Sequence, residues 1–458
     1  MNLFLGIQTS RLIFDGIGVD LAKQRGISGL NPSQRHRHGL WECESLLKPT
    51  SLQRPRIPTL LSAFLTLLND RLSESIVFPL LPFLLASFNA DGRTLGLLAG
   101  SYALAQFTAT PLIGALSDRF GRRPVIATCV SGSVLGLGLF ALTVSLDWPA
   151  GASLPLMLLF LARLIDGVSG GTAATASAVL ADITPPEKRA KAFGLIGVAF
   201  GLGFIVGPFL GGQLARINVT VPVWAATGFA VVNLLVVLGL LPETHPADER
   251  RAMPRKRDLN PLAQVIKVTA NPAVGRLCLS FFLFFLAFNG FTAILVLYFK
   301  QRFNWGPELA STAFLIVGIV ATVVQGGLIG PLVKRLGEWR LTLIGLGLVI
   351  TGCLLIPSTS AEQARAGVFS AVAILATGTG LVTPSLRSLV SRRLNSEGQG
   401  AALGSLQALQ SLGSFLGPPL AGLSYDLLGQ TSPFLGSAAL LITVTLLVGG
   451  TPRLQRSD

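Results

Sequence analysis

The sequence predicts an all-α polytopic membrane protein, in which twelve transmembrane helices form two pseudo-symmetric six-helix bundles. Composition supports this first, because only 13% of the 458 residues are charged and half are hydrophobic, whereas soluble domains carry about 25% charged residues. Second, the chain contains twelve apolar runs of roughly 20 residues, the length that crosses a bilayer as a helix. Third, motifs of the first half return in the second half at a nearly constant offset, which indicates a duplication.

The apolar runs define the predicted elements. The twelve spans, numbered 1 to 12 in chain order, are predicted near 58–86, 94–116, 125–146, 154–182, 192–214, 222–241, 277–299, 308–333, 341–357, 366–390, 400–422 and 432–450. We expect helices, because lipid satisfies no backbone hydrogen bond and the strands of a membrane barrel would alternate apolar and polar residues.

Polar segments divide the spans into two groups of six. The break 242–276 contains prolines and a basic cluster, so we predict a cytoplasmic linker between a first bundle, 58–241, and a second bundle, 277–450. Residues 451–458 form a short C-terminal tail. Residues 1–57 are polar, basic and without pattern, which predicts either a disordered cytoplasmic tail or, in part, upstream sequence that is not translated.

The basic residues indicate orientation rather than nucleic-acid binding. The formal net charge is +14, and 29 of the 36 lysines and arginines lie in the tails, the linker and the loops on one side of the predicted membrane. Because loops rich in lysine and arginine stay in the cytoplasm, we expect both termini in the cytoplasm and the chain in the cell (inner) membrane. Anionic lipid headgroups are a further expected contact. We expect no nucleic-acid partner.

The cysteines and histidines favour neither a metal site nor an enzyme. The four cysteines are scattered without a C-x-x-C, and all three histidines fall outside the apolar runs. A haem or zinc site within the bilayer would therefore lack its usual ligands. The spans also contain no nucleophile–base constellation, so we predict no metal, no cofactor and no enzymatic activity.

Ionisable residues inside the spans are the sharpest functional signal. Span 1 contains Asp70, Arg71 and Glu74, and span 4 contains Arg163 and Asp166. A charge at bilayer depth costs on the order of 3 kcal/mol, so such residues usually face a partner or an aqueous cavity. Asp70 and Glu74 share a helix face, and each arginine can pair with the acid three positions later. The spacing predicts a proton-exchange site under the influence of Arg163; locally neutralised pairs without proton traffic are the alternative.

The turn between spans 2 and 3 carries a charged motif. Its residues are Gly114, Asp118, Arg119, Gly121, Arg122 and Arg123. A weaker copy follows 216 residues later, with Lys334 in place of the acid. Asp118 can accept hydrogen bonds from a helix N-terminus or pair with a loop arginine, and such a contact would close the cytoplasmic side and break during transport. The alternative is a charge pattern that only sets topology.

Span 5 contains a glycine–proline motif that returns in span 11. Its residues are Gly203, Gly207, Pro208, Gly211 and Gly212, and the copy begins at Gly413, 210 residues later. Proline removes a helical hydrogen bond and bends the helix, while glycines on one face permit close helix packing. Packing without mechanistic consequence is the alternative to a functional bend.

These motifs together resemble the major facilitator superfamily, and within it the drug:proton antiporters of the tetracycline-efflux group. The resemblance implies a cytoplasmic latch at Asp118, Gly121 and Arg122 and an antiporter bend at Gly207-Pro208. It also implies proton coupling by an acid in span 1, nine residues before a P-x-x-P, and by an arginine in span 4. Asp70 and Arg163 occupy those positions. The tetracycline pumps carry an acid in span 9, whereas span 9 of this chain has none.

The second half offers polar residues instead of charges at depth. The candidate substrate-path residues are Asn289, Gln325, Gln407 and Gln410. Hydrogen bonding between helices is an equally good explanation for the two glutamines of span 11. Most of the phenylalanines that crowd span 7 are expected to contact lipid.

The predicted function is proton-coupled efflux of a small amphiphilic compound by alternating access, with the site between the two bundles. The expected partners are that compound, protons and the bilayer, and the chain is expected to work as a monomer. A proton symporter that imports a small solute is the nearest alternative. A membrane sensor or scaffold that transports nothing is a remote one, because it would need an appended domain.

Overall fold

The structure is a computed structural model that describes residues 57–88, 90–149, 151–184, 189–246, 250, 266, 269–271, 274–393 and 396–451. All regular secondary structure within these ranges is helical. The N-terminal tail, most of the linker and the C-terminal tail after residue 451 lie outside the described residues, so the expectations for those segments stay predictions.

Each predicted span coincides with helix in the described chain. The helices run over Ile57–Val77, Gly92–Phe120, Arg122–Ser145, Leu154–Ser169 with Thr172–Ile183, Arg189–Leu214, Val221–Leu240, Gly275–Phe303, Pro307–Val323, Ile329–Ser358, Ala364–Ser391, Ser396–Leu428 and Ser432–Gly449. By length and composition, eight helical stretches among the described residues can cross a membrane, and one of them covers both span 8 and span 9. Spans 2 and 11 fall outside that group because glycine and polar residues lower their hydropathy. Span 5 falls outside it as well, since among the described residues it contributes only the shorter apolar helix Val198–Leu214.

Several spans are less regular than their apolar runs suggest. Span 1 leaves the α-helix at Val77 and continues in short 3₁₀ and α turns that contain Pro79 and Pro82, because proline cannot donate the helical hydrogen bond. Span 4 is broken at Gly170–Gly171 into two helices, where the sequence predicted one continuous run. Span 8 contains a π-helical turn at Val324–Leu328, a feature that often marks functional positions.

Helix packing repeats in the two halves. In the first half, span 1 packs against spans 5 and 6, span 3 against spans 4 and 6, and span 2 against span 4. In the second half, span 7 packs against spans 11 and 12, span 9 against spans 10 and 12, and span 8 against span 10. These are the same five pairings shifted by six spans, as a duplicated bundle requires.

The halves meet mainly through two helix pairs, span 2 with span 11 and span 5 with span 8, with smaller contacts of span 7 with span 2. One hydrophobic core contains buried residues of both halves. Several phenylalanines of span 7 belong to it: Phe281, Phe284 and Phe291 are at most 1% exposed. The expected lipid contact is therefore wrong for these three rings, which pack inside the protein.

Candidate functional site

The charges of span 1 form one ion-pair cluster. Arg71 Nη2 lies 2.6 Å from Asp70 Oδ2, and Arg71 Nη1 pairs with Glu74. The guanidinium also lies over the ring of Phe200 in span 5, 4.9 Å from its centroid. The Asp70 side chain is 9% exposed, whereas that of Glu74 is 29% exposed. The local pairing expected from the helix spacing is present, and it extends to the adjacent acid.

The charges of span 4 are paired more loosely. Arg163 Nη1 lies 4.0 Å from Asp166 Oδ2, and both side chains are less than 10% exposed. The guanidinium lies 5.1 Å from the ring centroid of Phe140 and 6.0 Å from that of Tyr102. Arg163 Nε is buried and has no hydrogen-bond partner among the described residues. Aromatic faces therefore provide part of the environment of this cation.

Asp70, Glu74 and Asp166 line a single small cavity. The other polar groups of its wall include Tyr102 and Asn233, and every lining residue belongs to span 1, 2, 3, 4 or 6. The acids therefore meet as their spacing suggested, but the cavity lies inside the first bundle and not between the bundles. Sequence reasoning missed Tyr102 and Asn233, although Asn233 is a conspicuous amide in an otherwise apolar span 6.

The composition of this cluster determines what it can do chemically. It contains three carboxyl groups and two guanidinium groups, those of Arg71 and Arg163. One bound proton makes the set electrically neutral, and loss of that proton leaves one negative charge in a buried site. Because an uncompensated buried charge is costly, the cluster is suited to hold one exchangeable proton.

Two glycines of span 5 pack directly against this cluster. The Ser75 hydroxyl donates a hydrogen bond to the Gly203 carbonyl over 2.8 Å. A Cβ atom added at Gly203 would lie 2.6 Å from Cβ of Arg71, and one added at Gly207 would lie 1.9 Å from the Ser75 hydroxyl oxygen. Both positions therefore require glycine for this approach of spans 1 and 5.

The rest of the motif connects span 5 to both halves. A Cβ atom at Gly211 would lie 2.6 Å from the carbonyl oxygen of Ile76 in span 1. A Cβ atom at Gly212 would lie 2.5 Å from Cβ of Ser311 in span 8. Pro208 lies inside the helix, which continues past it. Span 5 thus contacts the charged segment on one face and the second half on another.

The turn motif forms a network at the ends of spans 2, 3 and 4. Gly121 has φ +103°, a conformation that favours glycine. Arg122 Nη1 lies 2.5 Å from Asp118 Oδ1, and its Nε lies 3.1 Å from Asp182 Oδ2. Glu243 accepts hydrogen bonds from the backbone N–H of Arg122 over 2.8 Å, which caps the N-terminus of span 3. In this structure Asp118 pairs within its own half.

The remaining motif residues lie at the surface of the network. Arg119 is exposed and lies over the neighbouring ring of Phe120. The side chain of Arg123 donates to the carbonyl oxygen of Leu238. A Cβ atom added at Gly114 would meet no atom within 4 Å, so no helix of the described chain approaches Gly114 closely.

The second copy of the turn, at Gly337, carries an ion pair like that of Arg122 with Asp182, but with the positions of acid and base exchanged. Gly337 has φ +76°, and Glu338 Oε1 lies 2.8 Å from Arg392 Nη1. Glu338 and Arg392 occupy the positions that match Arg122 and Asp182 in the first half. Both halves therefore join the start of one span to the end of the next by an ion pair, although the acid of the first copy is lost at Lys334.

Among the described residues, the close contacts between the two halves lie towards one end. We call the end that carries the Gly121 and Gly337 turns the basic end, and the opposite end the far end. At the far end, a Cβ atom added at Gly96 in span 2 would lie 2.2 Å from the carbonyl oxygen of Pro418 in span 11. At the basic end, Gly114 of span 2 and Gly330 of span 8 have open space around them.

Polar contacts hold the far end together. Asp426 of span 11 accepts hydrogen bonds from the backbone N–H of Gly92 over 3.1 Å and of Arg93 over 2.6 Å, so it caps the N-terminus of span 2 from the other half. Arg216, after span 5, lies 3.3 Å from Glu308 at the start of span 8. The halves are therefore closed at the far end and diverge at the basic end.

The predicted substrate-path residues separate into two groups. Asn289 donates to the carbonyl of Phe285 in its own helix over 2.8 Å, and Gln325 is exposed in the π-helical turn of span 8. Gln407 and Gln410 instead accept hydrogen bonds from Arg387. Arg387 lies within the helix of span 10, about one turn before its last residue, Ser391, so the second half also carries a charge inside a helix; the expectation that it carries no charge at depth stays a prediction.

Comparison with known proteins places this architecture in a family. Residues 61–418 match the model of the Major Facilitator Superfamily. The chain belongs to the Major Facilitator Superfamily. It is 34% identical over 352 residues to the class C tetracycline resistance protein of Escherichia coli, covering 76% of this chain and 85% of that protein. It is 27% identical over 372 residues to multidrug resistance protein 2 of Bacillus subtilis (strain 168), covering 81% of this chain and 89% of that protein.

A solved structure agrees with this assignment. The crystal structure of the human organic anion transporter MFSD10 (TETRAN) matches with a TM-score of 0.64 and 27% identity, over 86% of this chain and 100% of that chain. The protein is thus a multi-pass membrane transporter and not an enzyme, and it resembles the tetracycline-efflux group of the superfamily. The twelve helices in two bundles are the fold expected for a Major Facilitator protein.

Proposed function

We propose that this Major Facilitator protein exports a small amphiphilic compound from the cytoplasm in exchange for protons. The observation that carries the proposal is the buried cluster of three carboxyl groups and two guanidinium groups in the first bundle. A proton-driven importer would also need such a site, so the experiment must measure the direction of transport as well. The names of the tetracycline and multidrug resistance relatives support a drug-like substrate.

Within the cluster, Asp166 is the carboxyl group that holds the exchangeable proton. Asp70 lies 2.6 Å from the guanidinium of Arg71, whereas Asp166 lies 4.0 Å from that of Arg163. The less compensated carboxylate gains more from a proton when it is buried. Asp70 and Glu74 then balance Arg71, and Arg163 sets the ease with which Asp166 releases its proton.

Protonation is coupled to the halves through span 5. Its glycine face packs against Arg71 and Ser75, and Gly212 packs against Ser311 in the second half. Asp166 shares its cavity with Asp70 and Glu74, so loss of its proton changes the electrostatic field at the ion pairs of span 1, and span 1 packs on a helix that also forms the contact between the halves. With the basic end in the cytoplasm, the structure is the inward-open state, and the bundles rock to the outward-open state when the far-end contacts separate.

The test uses the purified full chain in proteoliposomes with a pH-sensitive dye inside. An imposed pH gradient is expected to drive substrate transport against proton flow. Asp166→Asn, Asp70→Asn and Arg163→Ala are expected to lose this coupled flow, because each changes the charge balance of the cluster. Asp147→Asn is the matched control, since Asp147 is an exposed acid in the loop between spans 3 and 4.

Two results would contradict the proposal. Full proton-driven transport by the cluster variants would remove the proton site. Substrate movement in the same direction as the protons would instead indicate a symporter.

A further inference from the structure

Arg387 is a half-buried cation without an acidic partner among the described residues. Its Nη2 donates to Gln410 Oε1 over 2.7 Å and lies 3.4 Å from Gln407 Oε1. The guanidinium carbon lies 5.7 Å from the ring centroid of Phe281 in span 7. Its Nε is buried and makes no hydrogen bond to any described group. An arginine within a span usually faces a carboxylate, a water-filled cavity or a ligand.

The nearest acid in this region is already engaged elsewhere. Glu338 accepts a hydrogen bond from Ser388, the residue after Arg387, over 3.1 Å. Its ion pair, however, is with Arg392 at 2.8 Å. The charge of Arg387 is therefore balanced neither by Glu338 nor by another carboxylate of the described chain.

The two glutamines complete a set of hydrogen-bond donors. Both amide oxygens point to Arg387, so the amide nitrogens of Gln407 and Gln410 point away from it. A glutamine amide nitrogen carries two N–H donors and no acceptor. A group that approaches these three side chains thus meets one positive charge and several N–H donors, which suits an anion and disfavours a cation.

The set faces the opening between the halves. Residues four apart on a helix differ by about 40° around its axis, so Gln407 lies on the same half of the surface of span 11 as Ser411 and Phe415, whereas Pro419 is about 120° away. Phe415 and Pro419 lie on the face that meets span 2, since a Cβ atom at Gly100 would lie 2.7 Å from the Phe415 carbonyl oxygen and 2.9 Å from Cγ of Pro419. Gln407, two to three turns towards the basic end, lies where the halves have diverged, and it is exposed.

We infer that Arg387, Gln407 and Gln410 bind the anionic group of the transported compound, so that the substrate class is an organic anion with a carboxylate or sulfonate. The inference rests on the proposed transport function. It places the substrate anion in the second bundle and the proton in the first. The planar guanidinium and two amides hold the anionic group, while the inward-open cleft admits it from the basic end.

Binding to the purified full chain in lipid nanodiscs tests this site. The probes are naphthalenesulfonate and naphthyltrimethylammonium, which share an aromatic ring and carry opposite charges, and calorimetry measures their affinities. The chain is expected to bind the anion in preference to the cation. Arg387→Ala is expected to weaken anion binding by about tenfold or more, as loss of a charged hydrogen-bonding partner does.

Three further variants make the result specific. Gln410→Glu keeps Arg387 but gives it a carboxylate partner within the protein, so this variant is also expected to lose anion binding. It tests the site independently if Arg387→Ala does not fold. Arg387→Lys keeps the charge without the planar fork and is expected to give an intermediate affinity. Arg365→Ala is the matched control, because Arg365 is exposed at the other end of the same helix.

Two outcomes would overturn the inference. One is equal anion affinity in the unmodified chain and in folded Gln410→Glu. The other is binding of the cationic probe as tightly as the anionic one. Because binding is measured without a pH gradient, failure of this site leaves the proton-coupling experiment untouched, and failure of proton coupling leaves this result intact.

Discussion

The contact between Gly96 and Pro418 gives the most direct way to shift the balance between the two transport states. A Cβ atom at position 96 would lie 2.2 Å from the carbonyl oxygen of Pro418 and 2.8 Å from its carbonyl carbon. Ordinary van der Waals contact begins near 3.4 Å, and neither backbone can move away without moving its helix. Gly96→Ala therefore forces spans 2 and 11 apart at the far end.

The magnitude follows from the cost of overpacking. Extra methyl groups in a well-packed site cost about 1–3 kcal/mol, which corresponds to about a 5- to 150-fold change in a two-state equilibrium. In the proposed alternating-access mechanism, the inward-open state contains this contact, whereas the outward-open state has separated it. We expect Gly96→Ala to lower the inward-open population by that factor.

Distances between spin labels at the far end measure this change. Asp147 and Glu362 are exposed far-end loop residues in the first and second halves, and both can carry labels after replacement by cysteine in a background without the natural cysteines. Gly96→Ala is expected to raise the fraction of long distances. Gly228→Ala is the control, because its added Cβ meets nothing within 4 Å. An unchanged distance distribution in folded Gly96→Ala would refute the reasoning.

Three other predictions follow from the described contacts. Arg122→Asp and Asp182→Arg should each destabilise the protein in thermal unfolding, by about 1–2 kcal/mol for a partly exposed pair. The double variant should regain part of that stability, because it restores the pair that the second half carries reversed but leaves Asp118 beside a second acid. Asp426→Asn should weaken the contact between the halves at the far end by about 0.3–1 kcal/mol, the usual value of a charge at a helix N-terminus. The distances between the same spin labels measure this change. Gly337→Ala should cost about 1–2 kcal/mol at φ +76°, whereas Gly347→Ala, which has open space inside a regular helix, should not destabilise the protein in thermal unfolding.

Much of the fold follows from local features of the sequence. The twelve helices are fixed by apolar runs of sufficient length, since a chain in lipid must satisfy its own backbone hydrogen bonds. The pairing of Arg71 with Glu74 follows from the helical period alone. The repeated motifs predicted the duplication, and the same five helix pairings occur in both halves of the structure.

The candidate sites depended on contacts between distant segments. Helical spacing put Asp70 and Glu74 on one face, but only the packing of spans 1, 2, 3, 4 and 6 placed the cavity inside the first bundle. The loss of the acid at Lys334 suggested a lost connection, yet the pair of Glu338 with Arg392 preserves it with opposite signs.

Sequence by itself determined which segments lie in the membrane, that the chain is duplicated, and which charges are costly enough to require a purpose. Tertiary structure decided which charges meet, which end of the bundles is closed, and that Arg387 of span 10 donates to Gln407 and Gln410 of span 11. The physical reason is the distance along the chain over which each feature acts. Hydropathy and helical periodicity act within one span, whereas the position of one helix against another depends on glycines and side chains that are hundreds of residues apart in sequence.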